Sequence, residues 1–260
     1  MRLSHLIASA AAAFFAVGGS AMAATTVTSG NVDLHYAHSS FDPGNNDANT
    51  WGIGGAFATP LGDTWGVQLD GSWNDVNPDH GSDTNVVAGT AHLFHRTDTN
   101  LIGVDVGAIH NDDASTTTWG GGIEDDYYMD NTTLGARLLY LRNDDSDTNF
   151  WGLEGHARYF FQDNFKVEGS LGFGKVDFKP DNADVWEAGV NAEYQFASLP
   201  VSIFGGVNYL HEDISGNPHS TTASVGVRWN FGGQSLKDRD RSGASLAGVE
   251  NAFGGLNGVF

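Results

Sequence analysis

The stretch Val185-Trp186-Glu187-Ala188-Gly189-Val190-Asn191-Ala192-Glu193-Tyr194 changes character at every residue. Trp186, Ala188, Val190, Ala192 and Tyr194 fall on one side of an extended chain, and Glu187, Gly189, Asn191 and Glu193 on the other, because successive side chains of a strand point to opposite faces. A period of two predicts a strand, not a helix. The rings of Trp186 and Tyr194 stand eight residues apart with only Ala and Val on their face between them. Eight residues rise about 26 Å along a strand.

That spacing recurs. Trp119 and Tyr127, Trp151 and Tyr159, Trp65 and Trp73, and Phe165 and Phe173 are each eight residues apart, an even number that keeps both rings on one face. A strand tilted by about 40° projects the rise to roughly 20 Å, which suits an apolar band about 25 Å tall edged by two aromatic girdles. Trp-Gly, then Tyr with Tyr or Phe, then Asp-Asn occurs twice, as Trp119-Gly120…Tyr127-Tyr128-Met129-Asp130-Asn131 and, one residue longer, as Trp151-Gly152…Tyr159-Phe160-Phe161-Gln162-Asp163-Asn164. Alternation with Asp, Asn, Gly and Pro punctuation predicts twelve strands: 30–40, 49–59, 64–76, 85–96, 100–111, 116–127, 132–143, 148–161, 164–178, 184–197, 200–213 and 220–232. Segment 116–127 is the weakest, diluted by Gly120-Gly121-Gly122 and Asp125-Asp126. Short turns (59–63, 97–99, 129–131, 162–164, 198–200) alternate with longer acidic connections (41–48, 77–84, 112–115, 143–147, 179–183, 213–219). An even strand count puts both ends of the strand series on the short-turn side.

Composition narrows the classes. The 260 residues carry 12 Lys and Arg against 32 Asp and Glu, a formal charge of −20. That balance argues against nucleic-acid binding, which needs clustered cations. With no Cys, disulfide scaffolds, thiolate zinc sites and thiol nucleophiles are excluded. Only 17% of residues are charged and 40% are hydrophobic, unlike a disordered acidic chain. At the N-terminus Arg2 precedes an apolar run, Leu6 to Val17, followed by Ala21-Met22-Ala23. This predicts a secretory signal peptide, residues 1–23, cleaved after Ala23. Removing Arg2 leaves 11 cations and 32 anions, a mature charge of −21.

Ser224-Val225-Gly226-Val227-Arg228-Trp229-Asn230-Phe231 resembles the insertion signal at the closing strand of bacterial outer-membrane barrels, polar-x-Gly-x-x-aromatic-x-aromatic, with Gly226, Trp229 and Phe231 as its marked positions. Together with the strand pattern over about 200 residues, the chain resembles the porin-like outer-membrane β-barrel proteins of Gram-negative bacteria. The resemblance implies an all-β, transmembrane, antiparallel up-and-down barrel (residues 24–232), integral to the outer membrane. It implies contact with membrane lipids and lipopolysaccharide, and the barrel assembly machinery as partner during insertion. Residues 233–260, rich in Gly and Ala, are expected to form a flexible periplasmic tail.

If the aromatic face meets lipid, Trp65, Trp73, Trp119, Tyr127, Trp151, Tyr159, Trp186 and Tyr194 form the girdles. The opposite face then lines a lumen with Asp70, Asp105, Arg137, Glu154, His156, Arg158, Lys166, Glu168, Glu187, Glu193 and Arg228, joined by Asp33, His35, His92, Glu124 and Asn191. Charge is costly on the lipid face, which supports this assignment; Asp125 breaks it by parity. Twelve tilted strands give a backbone diameter of roughly 24 Å and a bore of roughly 10 Å or less. Two readings of the charges stay open: a constriction that selects solutes, or a salt-bridged filling that satisfies buried charge. The expected function is passive diffusion of small hydrophilic solutes, with a cation preference from the acidic excess, no cofactor and no chemical step. A non-conducting structural or adhesion barrel and an outer-membrane hydrolase, with His110/Asp112 or His211/Asp213 at the rim, are the alternatives. Asn111-Asp112-Asp113 and Asn143-Asp144-Asp145-Ser146-Asp147 offer oxygen ligands for Ca²⁺, though solvated turns explain them as well. His211, Glu212, Asp213 and His219 offer a metal set, against ordinary loop residues.

Overall fold

The computed structural model describes residues 27–43, 46–214, 216–233 and 235–254; the expected signal peptide lies outside the described residues. Twelve strands follow one another: β1 Ser29–Asp42, β2 Ala48–Leu61, β3 Trp65–Pro78, β4 Thr84–Arg96, β5 Asn100–Asn111, β6 Thr116–Met129, β7 Thr132–Asn143, β8 Thr148–Gln162, β9 Phe165–Phe178, β10 Asp181–Gln195, β11 Val201–Asp213 and β12 His219–Phe231. Each pairs antiparallel with its sequence neighbours, and β1 pairs with β12 from Gly30↔Phe231 to Asp42↔His219, closing the barrel. Closure removes both sheet edges, so every spanning strand has its backbone partners. The weakest expected strand, 116–127, is continuous to Met129 and pairs along its whole length with β5 and β7.

The strands run further than the periodicity suggested at the acidic end. The connections there shrink to between two and five residues, as between Phe178 and Asp181 or between Asp213 and His219. Two of them are near copies. Asn111 and Asn143 each accept, through Oδ1, backbone N–H bonds from the residues two and three positions on. Ser115 and Asp147 then take left-handed φ values of 52° and 50° to complete the turn. The Asx geometry uses the Asn oxygen that a Ca²⁺ reading would need.

Tails of the β8–β9 ladder show one irregularity, a bulge between Phe160 and Gln162. It absorbs the extra residue of the second Trp-Gly…Asp-Asn copy.

Candidate functional site

The eight girdle residues are between 38% and 53% exposed, all on the outer surface. Trp119 also donates its Nε1–H to Asp144 at 3.2 Å, tying the ring to the acidic loop that follows β7. Asp144, in turn hydrogen-bonded by Arg142, is held below the ordinary carboxylate range by that contact. Asp125 is on the outer face with them, where its parity puts it. Its neighbour Asp126 is buried inside, an inward carboxylate that the sequence reading left out although it shares the parity of Glu124.

Every lumen candidate turns inward, and most are paired. Glu193 is a hub: Arg228 donates to it at 3.0 Å, Arg239 at 3.1 and 3.2 Å, Ser202 at 2.6 Å, and Lys166 lies 3.5 Å away. Arg228 also reaches Asp33 at 3.3 Å and covers the Phe204 ring, its Cζ 4.4 Å from the ring centre. Asp33 holds His35 at 3.1 Å, and His35 continues to Asn74 at 2.9 Å. Arg158 bridges Asp126 at 3.3 Å and Asp240 at 3.0 Å, and bonds Glu168 as well; His156 lies 2.9 Å from Asp126. On the same stretch of wall Arg137 of β7 clamps Asp105 of β5 with two bonds, 2.7 and 3.3 Å. His92 sits between Asp70 at 2.9 Å and Glu124 at 2.7 Å. His92, Asp105 and Glu124 have ligand atoms close enough for a metal, but Arg137 and the imidazole already occupy those oxygens. Glu187 differs from the rest: it is 1% exposed, and among the described residues no cation pairs with it.

Two of these partners, Arg239 and Asp240, belong to an unexpected occupant. Residues 235–254 do not extend away from the barrel as a flexible tail; they fold back into it. Helix α1, Leu236–Ser242, is capped by the Ser235 hydroxyl, which accepts the Asp238 N–H at 3.0 Å. It sits at the short-turn end, where Lys237 donates to Asn131 at 2.8 Å and Arg241 to the carbonyls of Met129 and Thr132. Beyond it the extended residues 243–248 are held by inward side chains in place of strand partners. Arg96 donates to the Gly243 carbonyl at 2.9 Å, and Ser29 accepts the Ala244 N–H at 2.8 Å. Gln68 accepts from the N–H groups of Ser245 and Leu246 while donating to the Leu246 carbonyl. Arg137 donates to the carbonyls of Ala247 and Gly248.

A 3₁₀ segment, Val249–Gly254, ends the described plug. Phe253 is 1% exposed and packs edge-on against Phe150, ring centres 4.8 Å apart, within a cluster holding Leu139, Leu141, Val176, Val185, Val249 and Ala252. Its seat is made by Gly152 and Gly172, where an added Cβ would come within 2.4 and 2.8 Å of the ring. Phe253 takes φ 52°, a left-handed conformation that costs a bulky residue roughly 1–2 kcal/mol; burial of its ring offsets this by roughly 1.5–3 kcal/mol. The glycine of the expected insertion signal has a similar local use. Gly226 faces inward beneath Phe204, whose ring would lie 2.3 Å from a Cβ, while Trp229 faces outward, 57% exposed.

The plug does not fill the lumen. A cavity of about 430 Å³ runs between it and the wall, lined on β1–β3 and β10–β12 by groups such as Asn31, Asn74, Asn191 and Asn208. Nine carboxylates against five Lys and Arg border it, so the space is acidic. Burial in the lumen, with Asp70 nearby, pushes the tail carboxyl of Glu250 up to about 7. The imidazoles weighed as a metal set against ordinary loop residues lie elsewhere: His211 and His219 are cross-strand neighbours near the acidic rim, ring centres 6.5 Å apart.

A closed antiparallel barrel, ringed outside by aromatics and charged within, is the architecture of an outer-membrane β-barrel protein. The chain belongs to the outer membrane protein beta-barrel domain family, whose model matches residues 88–255. No curated protein matches it in sequence. In fold it is similar to an outer membrane channel from Pseudomonas putida F1 (TM-score 0.60, 11% identity, 83% of this chain and 100% of that one). It is also similar to the NanC porin (0.53, 12%, 75% and 98%) and to the KdgM porin (0.51, 12%, 76% and 99%).

Proposed function

We propose that the protein is a porin-like outer-membrane channel for passive diffusion of small hydrophilic solutes, narrowed by its own C-terminal segment. The observation that carries this is the cavity of about 430 Å³ along an amide- and hydroxyl-lined wall. Open space of this size beside polar side chains sets the interior apart from one packed solid. The excess of bordering carboxylates favours cations, because fixed charge in a narrow lumen concentrates counter-ions. The residues around Glu193 and Arg158 then act as the constriction, with α1 completing it. Signal-peptide cleavage after Ala23, insertion by the barrel assembly machinery through residues 224–231, and contact of the girdles with lipid and lipopolysaccharide belong to the same reading. It involves no chemical step.

The depth of the plug favours one other reading, a barrel that does not conduct. Planar-bilayer recording under a salt gradient separates the two, using the chain from Ala24 to its end and a version stopping at Gly232. Larger steps from the shorter chain, with a cation-biased reversal potential, support the channel. A folded, heat-modifiable barrel without steps in either form removes it.

A further inference from the structure

The tip of the plug rests on acid. Glu154 of β8, Gly172 of β9 and Glu187 of β10 are register partners in one row across the inner wall. Gly172 contributes no side chain between the two carboxyls, and the Phe253 ring lies over it. Glu154 accepts the Phe253 N–H at 2.9 Å. Among the described residues Glu187 has no cation beside it, only the Ser170 hydroxyl, although both its oxygens are buried. The plug brings a third carboxyl, Glu250, beside Thr90 on β4 and within the field of Asp70 on β3.

We propose that docking of the C-terminal segment is coupled to protonation of Glu154, Glu187 and Glu250, so that the segment enters the lumen when they hold protons and leaves as they lose them. This rests on the channel reading only for its consequence; the docking itself is a separate claim.

The cations that face these groups, Arg137 toward both Glu154 and Glu250 and His156 toward Glu154, are already engaged by other carboxylates. Arg137, beside Glu154 on β7, already carries Asp105 and two carbonyls of the plug. His156 is held by Asp126, and Glu168 near it adds negative charge. Next to Glu187 are the Ser170 hydroxyl, Glu154 and apolar Leu210. A carboxylate taken from water without a counter-charge costs so much that it binds a proton instead. With the plug withdrawn, all three face an aqueous lumen and ionise without that cost. The sign follows. Glu250 titrates near 7 when docked and near 4.5 when exposed. Its contribution to docking is complete below about 4.5 and is lost as pH rises toward about 7.

The chain has no Cys, so a nitroxide attached through Asn251→Cys, an exposed position on the 3₁₀ segment, reports on the plug alone. In the refolded full-length barrel the label is expected to be immobile at pH 5 and mobile at pH 8. Equal mobility at both overturns the proposal. The triple variant Glu154→Gln, Glu187→Gln, Glu250→Gln is expected to stay immobile at both. If it loosens as the parent does, these carboxyls are not the proton sites and the proposal is overturned. Should the triple variant fail to fold, Glu250→Gln, which leaves the wall untouched, must move the loosening midpoint to higher pH; an unchanged midpoint counts against the proposal. Recording from the chain ending at Gly232 at the same two pH values tests the channel separately. Its silence sinks the channel reading and leaves the label result to decide the docking.

Discussion

At the residue scale, the decisive feature is how much depends on inward glycines. Gly152 and Gly172 make room for Phe253, and Gly226 makes room for Phe204. At these three positions the missing side chain lets a ring lie close over the inner wall. Gly172→Val is therefore expected to expel Phe253 while leaving the barrel folded, read as unchanged heat-modifiability with faster hydrogen exchange of residues 249–254. Phe253→Ala removes the ring itself and should weaken docking by roughly 2–4 kcal/mol, visible as more frequent or larger channel openings. Inward parity was legible for most charged residues, because a strand with an aromatic lipid face leaves its charges one place to point. Asp126 was missed because it sits beside Asp125, and two adjacent carboxylates cannot both obey the rule. Arg96 and Gln68 carried no signal either; their partners, at Gly243 and Ser245–Leu246, lie well over 100 residues away in sequence.

At the scale of elements, strands and turns were readable, and the C-terminal segment was not. Period-two alternation is a local property, so each strand could be placed to within about three residues of its observed ends. The acidic connections looked longer than they are because Asp and Asn punctuate both turns and strand ends. Residues 243–248, with their Gly, Ala and Ser, have the composition of a flexible extension. They are ordered by carbonyls and N–H groups, which every residue owns, meeting Arg96, Gln68 and Arg137 on the wall. Composition says nothing about such contacts. The ion pairs of α1 hold the other end of the segment. Arg239→Ala removes the Glu193 contact, but Arg228, Lys166 and Ser202 still serve that carboxylate. The expected result is a loosened helix without loss of the barrel, measured by protease sensitivity at Lys237 and Arg241.

At the scale of the whole molecule, the interior combines a closed barrel with a self-supplied plug and a remaining acidic cavity. The fold was legible from the strand pattern, while the state of the lumen was not, since the number of strands fixes the width available but not what occupies it. Of the two readings of the interior charges, filling has a direct counterpart in the pairs by which Arg158 and Glu193 bind the plug, and selection is left to the cavity beside it. The most direct measurement is efflux of a small cation and a small neutral solute from liposomes containing either the chain from Ala24 to its end or the chain ending at Gly232. The account predicts faster efflux of both solutes through the shorter chain, with the cation favoured. Equal efflux from the two barrels would contradict a passage controlled by the C-terminal segment.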